Sequence, residues 1–393
     1  MEFKVLLLLD FSEEYSKSLL KGLKAYAKDS ADRWVFCSMP LYHRETIGMS
    51  GILKWAGNWG ANGIIGQLYN NPSDVDKLLS SGIPVIAQDF KERFDLVTNI
   101  TGSYFKTGEM AADYFIKKGF CHFGFYGFEN IVWSRERAEG FESRLHEFGY
   151  SVHYFTDNKE PSEDFWFYKP VALYAWLRSL PKPISILACD DRLAQHITEG
   201  CRFLNIRVPE DVSVLGVDND DMICALSDPP LSSIALNVER GGYDTAKTME
   251  KMIVNGINKT DDIYVDPVRV VTRQSTDIYA TSDALITTSL KYIHDNIDKK
   301  MQVRDVMKQV PLSRRVFEKR FLESTGQTIY KYITTLRMEK FAENIVQTNC
   351  SINQIALELG FEDTKNISRQ FKLVYACSPN EFRKRYTIKR HSY

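Results

Sequence analysis

From its first residues to about residue 283 the chain repeats one pattern: a short apolar run rich in β-formers, then a longer amphipathic stretch. The runs fall at residues 5–9, 34–37, 63–66, 83–87, 123–126, 184–188 and 212–217. They are apolar throughout rather than alternating, which predicts parallel strands buried on both faces. The stretches at 13–27, 104–118, 135–147, 192–203 and 240–254 supply the crossover helices that parallel strands require. A doubly wound α/β body follows. Its length calls for more than ten strands, too many for one comfortable open sheet, and the pattern restarts near Phe123. Two similar lobes are therefore expected, with ligand bound where their strand carboxyl ends face each other.

The remainder has helical spacing only, twice over. In the first unit Val303, Val306, Met307 and Val310 share one helical face, Pro311 stops the helix, and Ser313 caps the next. That next helix, 313–323, turns Phe317 and Phe321 inward and leaves Arg314, Arg315, Glu318 and Lys319 free. In the second unit Ser351 to Gln354 reads as a capping box, Ile352, Ile355, Ala356 and Leu359 form the buried stripe, and Gly360 ends the helix. The helix at 364–374 exposes Thr364, Lys365, Asn366 and Arg369. At 393 residues, two to three domains are expected at roughly 150 residues each. The division proposed is a two-lobed α/β domain over 1–280 and an all-α domain with two helix-turn-helix units over 284–390.

Charge follows the same division. Residues 284–393 hold 20 Lys+Arg against 11 Asp+Glu, whereas residues 1–283 hold 30 against 40. A cationic module on an acidic body suits a tail that meets a polyanion while like charge keeps the body off it. A helix about 10 Å across bearing Arg, Lys and Asn fits a DNA major groove, where Arg or Lys reads guanine and Asn reads adenine. Two such helices, joined by an intervening helix at 328–346, would enter successive grooves about 34 Å apart.

Much chemistry is excluded. No G-x-G-x-x-G or G-x-x-x-x-G-K-[ST] loop is present, and neither a G-x-S-x-G elbow nor an H-E-x-x-H helix occurs. The seven histidines do not cluster, and Cys37, Cys121, Cys189, Cys201, Cys224, Cys350 and Cys377 are scattered and never spaced C-x-x-C. No enzyme activity, cofactor or metal is expected, and the cysteines read as reduced, mostly buried thiols. The opening apolar run is too short for a signal-peptide core and no run is long enough to span a bilayer, so a cytoplasmic protein without membrane contact is expected.

Polar and aromatic residues gather just past strand ends, where the cleft of such a fold lies: Asp10, Phe11 and Tyr15, then Asp89, then Trp133, Ser134, Arg135 and Arg137, then Asp190, Asp191 and Asp218. Carboxylates that accept from hydroxyls, an Arg fork that donates and rings that cover C–H faces suit a neutral polyhydroxylated ligand. Each Asp is equally suited to cap the following helix, and Asp191 in particular precedes a helix as a cap does.

Two resemblances add to this reading. Residues 135–141 (RERAEGF), 188–194 (ACDDRLA) and 212–219 (VSVLGVDN), with the close at 268–276, resemble the LacI/GalR regulators and sugar-binding proteins over almost all of residues 3–277. The resemblance implies a periplasmic-binding-protein-like fold in which Arg137, the Asp190–Asp191 pair and Asp218 hydrogen-bond a sugar and Phe11, Tyr15 and Trp133 pack on it. Asp190 stands where that family usually has Asn. The family's N-terminal DNA-binding helices are not expected here, because Phe3 already begins the first strand. Residues 351–356 (SINQIA), Gly360 to Asp363, 368–372 (SRQFK) and Ser378-Pro379 with Phe382-Arg383 resemble the AraC/XylS DNA-binding domain. By that likeness, base contacts fall to Arg315, Glu318, Lys319, Thr364, Lys365, Asn366 and Arg369, and phosphate contacts to Arg314, Arg320 or Lys372.

A LacI-type sensor followed by an AraC-type reader is similar to the architecture of bacterial xylose operon regulators, which makes D-xylose the first effector to expect. The function expected is a sugar-responsive transcription activator of pentose genes, acting as a homodimer on a duplex DNA operator. A transport sugar-binding protein and a sugar-converting enzyme are the alternatives.

Overall fold

The computed structural model describes residues 1–68, 72–155, 170–277, 283–297, 299, 301–348, 350–361, 364–375 and 377–386. Lobe 1 begins with β1 (Glu2–Leu8), α1 (Glu14–Asp29), β2 (Arg33–Ser38), α2 (Leu41–Trp59), β3 (Gly63–Gln67), α3 (Pro72–Ser80), β4 (Val85–Gln88) and β5 (Thr98–Gly102). Lobe 2 holds α4 (Tyr104–Lys117), β6 (Phe123–Tyr126), α5 (Val132–His146), β7 (Val152–Tyr154), α6 (Pro170–Ser179), β8 (Ile184–Ala188), α7 (Asp191–Phe203), β9 (Val212–Val217), α8 (Asp221–Leu226) and β10 (Ser232–Leu236). The chain returns to lobe 1 for α9 (Val238–Asn255) and β11 (Ile263–Val265), then crosses a third time into β12 (Pro267–Val271).

Among the described residues the strand orders are β11-β5-β4-β3-β1-β2 and β12-β10-β9-β8-β6-β7. The two lobes therefore share one winding. Strand pairing is parallel throughout the first sheet and broken in the second only by the antiparallel β10–β12 pair. β6, β8 and β9 are buried along their whole length, as continuous apolar runs require.

Strands β5 and β10 escape that pattern because they are built from small polar residues, TNITG and SSIAL. Their buried hydroxyls and amides are satisfied by neighbours: Asn99 Nδ2 donates to the Phe94 carbonyl at 2.9 Å, and Thr276 donates to the Ser232 hydroxyl at 2.7 Å. Each is followed by a crossing between lobes, and the three crossings are tied together. The Ser103 hydroxyl donates to Asp266 Oδ1 at 2.7 Å, Ser103 N to the Val265 carbonyl at 2.9 Å, and Asn237 N to the Asp266 carbonyl at 2.9 Å.

Glycine sets how closely the helices after the crossings approach their partners. A methyl group on Gly108 of α4 would lie 2.1 Å from the Arg137 carbonyl, and one on Gly140 of α5 2.0 Å from the Phe105 carbonyl. Only backbone meets at this crossing, which fixes the turn of α5 that carries Arg137. Gly22 of α1 and Gly242 of α9 make the equivalent close contact in lobe 1.

The C-terminal part is all helix: α10 (Ala284–Asp295), α11 (Val303–Met307), α12 (Arg314–Thr325), α13 (Ile329–Gln347), α14 (Ile352–Glu358), α15 (Thr364–Tyr375) and α16 (Pro379–Tyr386). α13 joins two small cores. Its first half places Ile329, Tyr332 and Ile333 against Phe317 and Phe321, and its second half places Met338, Phe341 and Ile345 against Ile355, Ile367, Phe371 and Phe382. Arg337 donates to the Met301 carbonyl at 2.7 Å, and Arg383 donates to the Ile345 and Cys350 carbonyls at 3.1 and 2.7 Å. These guanidiniums are spent on orphan carbonyls inside the fold. α11 ends at Met307, earlier than the apolar spacing predicts, although Val310 is still buried. Among the described residues no helix is long and apolar enough to cross a membrane.

Candidate ligand cleft and nucleic-acid interface

Strand carboxyl ends of the two lobes flank an open-mouthed cavity of about 100 Å³, lined among others by Tyr15, Gln67, Gln88, Asp89, Tyr104, Trp133, Arg137, Asp190, Asp191 and Asp218. Since roughly 10–15 Å³ accommodates one water, several polar groups fit. Arg137, 3 % exposed, is the central cation. Its guanidinium carbon lies 5.3 Å from the Trp133 ring centre and 5.4 Å from that of Tyr104, so two aromatic faces hold it. Nη1 donates to the Cys189 carbonyl, Nη2 lies 3.6 Å from Asp218 Oδ1, and Nε is buried with no partner in the protein.

Asp218 reaches that position through an unusual backbone. Its φ is +100° and that of Asn219 +54°, a left-handed turn that non-glycine residues hold only when the surroundings impose it. Burial raises the Asp218 carboxyl above its ordinary range while Arg137 pulls it back.

Each of the remaining carboxylates accepts at least one hydrogen bond within the protein, although Asp191 Oδ1 is buried without a partner. Asp89, 2 % exposed, accepts from Thr101 at 2.6 Å and Tyr104 at 2.7 Å; burial still pushes it up to about 6. Asp190 Oδ1 accepts from Leu193 N at 2.7 Å, and burial lifts it to about 6. This makes Asp190 the cap of α7, correcting the expectation that Asp191 fills that place. Asp191 is instead the first residue of the helix and points back, its Oδ2 accepting from Asp220 N at 2.8 Å. Burial, then the nearby Asp218, raises its carboxyl well above the usual range. Tyr15 faces the cavity with its phenol raised by burial.

Two expected members are not brought to the cavity. Asp10 closes a turn by accepting from Ser12 N at 2.9 Å, and Phe11 packs against the apolar core of lobe 1. The sequence reading missed Gln67, Gln88 and Tyr104. All three stand at strand ends or at the start of a helix, so position relative to β3, β4 and β5 was the available signal. Among the described residues no cluster of His, Cys, Asp and Glu suits a metal ion.

In the helical domain Phe317 and Phe321 are fully buried, and Arg314, Arg315, Glu318 and Lys319 are all exposed on α12. They are not all free, as expected from spacing: Arg314 pairs with Glu318 at 2.8 Å and Lys319 with Glu323 at 3.7 Å. Such i,i+4 pairs contribute only about 0.3–0.5 kcal/mol, so DNA exchanges them readily. Arg320 is bound at 2.7 Å to Asp283, which caps α10 through Leu285 N. α15 carries Thr364, Lys365, Asn366 and Arg369; Arg369 is exposed, and the side chains of the other three lie outside the described residues. Ser351 caps α14 by accepting from Gln354 N at 3.1 Å, but the Gln354 amide donates onward to Glu358, so only half of the expected capping box forms.

Residues 112–276 match the periplasmic binding protein-like domain family and residues 306–385 a helix-turn-helix domain family. The xylose operon regulatory protein of Haemophilus influenzae is 27 % identical over 97 % of this chain and 98 % of its own length. That of Escherichia coli K12 is 28 % identical over 97 % and 96 %. Among solved structures, the xylose-binding transcription activator XylR is 26 % identical, covers 98 % of this chain and 99 % of its own, and superposes with a TM-score of 0.60. A LacI family regulator from Enterococcus faecium with bound ribose, 20 % identical over 70 % of this chain and 98 % of its own, has a TM-score of 0.54 and shares the sensor fold. With both domains in the same order as these full-length relatives, the chain has the architecture of a sugar-responsive transcription regulator, a periplasmic-binding-protein-like sensor joined to a C-terminal helix-turn-helix reader.

Proposed function

We propose that the chain senses a neutral, unphosphorylated monosaccharide, D-xylose before others, and activates pentose-utilisation genes as a cytoplasmic homodimer on an operator. The single observation that carries the ligand class is Arg137, set against Trp133 and Tyr104 and facing Asp218 in an acid-lined cleft. A phosphate or carboxylate ligand would meet Asp89, Asp190, Asp191 and Asp218 with only Arg137 and Arg192 opposing them, a net repulsion. A hydroxyl meets acceptors, a fork donor and ring faces, contacts of about 1.5–3 kcal/mol each where charge assists. The names of the full-length relatives support D-xylose within that class.

Arg137, Asp190, Asp191 and Asp218 hold the hydroxyls, and Tyr15 and Trp133 cover the carbon face. Closure of the lobes about the tied crossings at Ser103, Asn237 and Asp266 re-aims α12 and α15. A thousandfold response needs roughly 4 kcal/mol of preference for the closed form. Asp190 and Asp191 are each held through one oxygen, by a helix N-terminus and by a loop amide, which supports a sensor with fixed acceptors over an enzyme with a converging acid and base. Titration calorimetry against pentoses, hexoses and their phosphates, with operator binding measured alongside, tests this. Binding of D-xylose or another free pentose, and operator affinity that changes with it, is expected; tight binding of a sugar phosphate, or turnover of the sugar, rejects it.

A further inference from the structure

Lobe 2 brings Arg137, Asp190 and Asp218 to the cavity; lobe 1 brings Glu13, Glu14, Tyr15 and Asp89, and with them two neutral amides, Gln67 and Gln88. These are register partners at the carboxyl ends of neighbouring parallel strands β3 and β4, and side chains in register stand on the same face of a sheet. Gln88 Oε1 is buried and accepts no hydrogen bond within the protein. Its neighbour Asp89 differs, since both carboxylate oxygens already accept, one from Thr101 of the crossing strand β5 and one from Tyr104 of α4. A buried acceptor without a donor opposes folding unless a donor from outside the protein, a water or a ligand hydroxyl, meets it, and this one lines the cavity.

We infer that Gln88 is a specificity-determining residue of the sensor, reading one ligand hydroxyl from the lobe 1 side, and that Asp89 is a positioning residue bracing the crossing strand beneath it. The inference rests on the sugar-sensing reading above. An amide presents an acceptor or, rotated by half a turn, a donor, so it serves a hydroxyl of either polarity. Being neutral, it adds no charge to a cavity already crowded with carboxylates. A site built to pair a hydroxyl also rejects the analogue that lacks it, because the protein group is then left buried and unpaired.

The test is a cycle between protein and ligand. Wild type, Gln88→Met and Gln88→Leu are titrated calorimetrically with D-xylose and with its monodeoxy analogues, and the melting temperature of each is recorded without sugar. Both variants are expected to melt at or above the wild-type temperature and to bind D-xylose at least about tenfold more weakly. One deoxy analogue, strongly penalised by the wild type, is expected to bind each variant as well as D-xylose does. If every deoxy penalty is the same in wild type and variants, Gln88 reads no hydroxyl and the inference is overturned. If both variants melt well below the wild type without sugar, the amide is structural and the inference is overturned as well. If the wild type binds no pentose at all, the sugar-sensing reading itself fails first.

Discussion

Arg93 of lobe 1 holds both carboxylate oxygens of Glu136 in lobe 2, with Nη2 to Oε2 at 2.7 Å. The same rim carries Arg135 of lobe 2 against Glu92 of lobe 1 at 3.0 Å, and Arg192 reaches Glu13 of lobe 1 at 3.8 Å. Each pair joins residues of opposite lobes, so any pair that lengthens as the lobes part favours the shut cleft. Closure around an uncharged sugar is therefore expected to be sensitive to salt, an effect the ligand alone cannot produce. Glu136→Ala is expected to weaken sugar binding about fivefold, from roughly 1 kcal/mol for a half-exposed bidentate pair. It should also flatten the dependence of sugar affinity on ionic strength. Titration at several salt concentrations checks both, and unchanged affinity with an unchanged salt slope would remove the rim pairs from closure.

Asp190 gives a prediction with a defined pH window. Its carboxyl is lifted from 3.8 to about 6 by burial, so the ionised form is disfavoured in the folded protein. A raised pKa adds stability that is complete below the unfolded value and disappears as pH climbs through the folded one. Asn caps a helix as well as Asp does and carries no charge. Asp190→Asn should therefore gain melting temperature relative to wild type as pH rises from about 4 to about 6, with the gain constant above that. A difference that shrinks over this interval would mean that the carboxylate is stabilised by its neighbours.

His294 of α10 works in the opposite direction. Burial, and then the charge of Lys118 in lobe 2, lowers its pKa from 6.5 to about 3, while Tyr332 lies within hydrogen-bond distance at 3.1 Å. A lowered pKa contributes stability that is present above 6.5 and lost as pH falls toward 3. Wild type is expected to lose stability relative to His294→Gln on acidification below pH 6.5, with about one extra proton taken up on unfolding. Comparing the two proteins at each pH cancels the opposing carboxylates of the cleft. Parallel pH profiles would refute the assignment.

The parts of this structure that sequence made legible are those where one physical requirement dominates. Fully apolar runs such as β8 and β9 had to be doubly buried strands, and the stripe of Ile355, Ala356 and Leu359 had to face a core. β5 and β10 are missing from the apolar runs because hydrogen bonds, not apolar burial, stabilise Thr98, Asn99, Ser232 and Ser233 inside. In the cleft, Arg137 and Asp218 were visible as strand-end and helix residues of unusual chemistry. The exchange of roles between Asp190 and Asp191 was not, since a shift of one residue in the helix start decides which carboxylate caps it. The ion pair of Arg320 stayed hidden for another reason. Its partner Asp283 is 37 residues away, and no local spacing rule relates them.

That pairing separates two arginines five positions apart on one helix. Arg315 is exposed on the outer face of α12, whereas Arg320 is tied to the residue that caps α10. Arg315→Ala is expected to cost about 1–3 kcal/mol of operator affinity and to relax preference at one base pair if it reads a base edge. If it contacts phosphate instead, binding should weaken evenly across sequences, with the salt slope falling by about one. Arg320→Ala should lower the melting temperature of the helical domain and leave the salt slope unchanged, because the cation it removes is engaged by the protein. Melting curves and salt-dependent operator titrations of both variants make the comparison. A lost unit of salt slope for Arg320→Ala with an unaltered melting temperature would mean that Arg320 leaves Asp283 for the phosphate backbone when DNA binds.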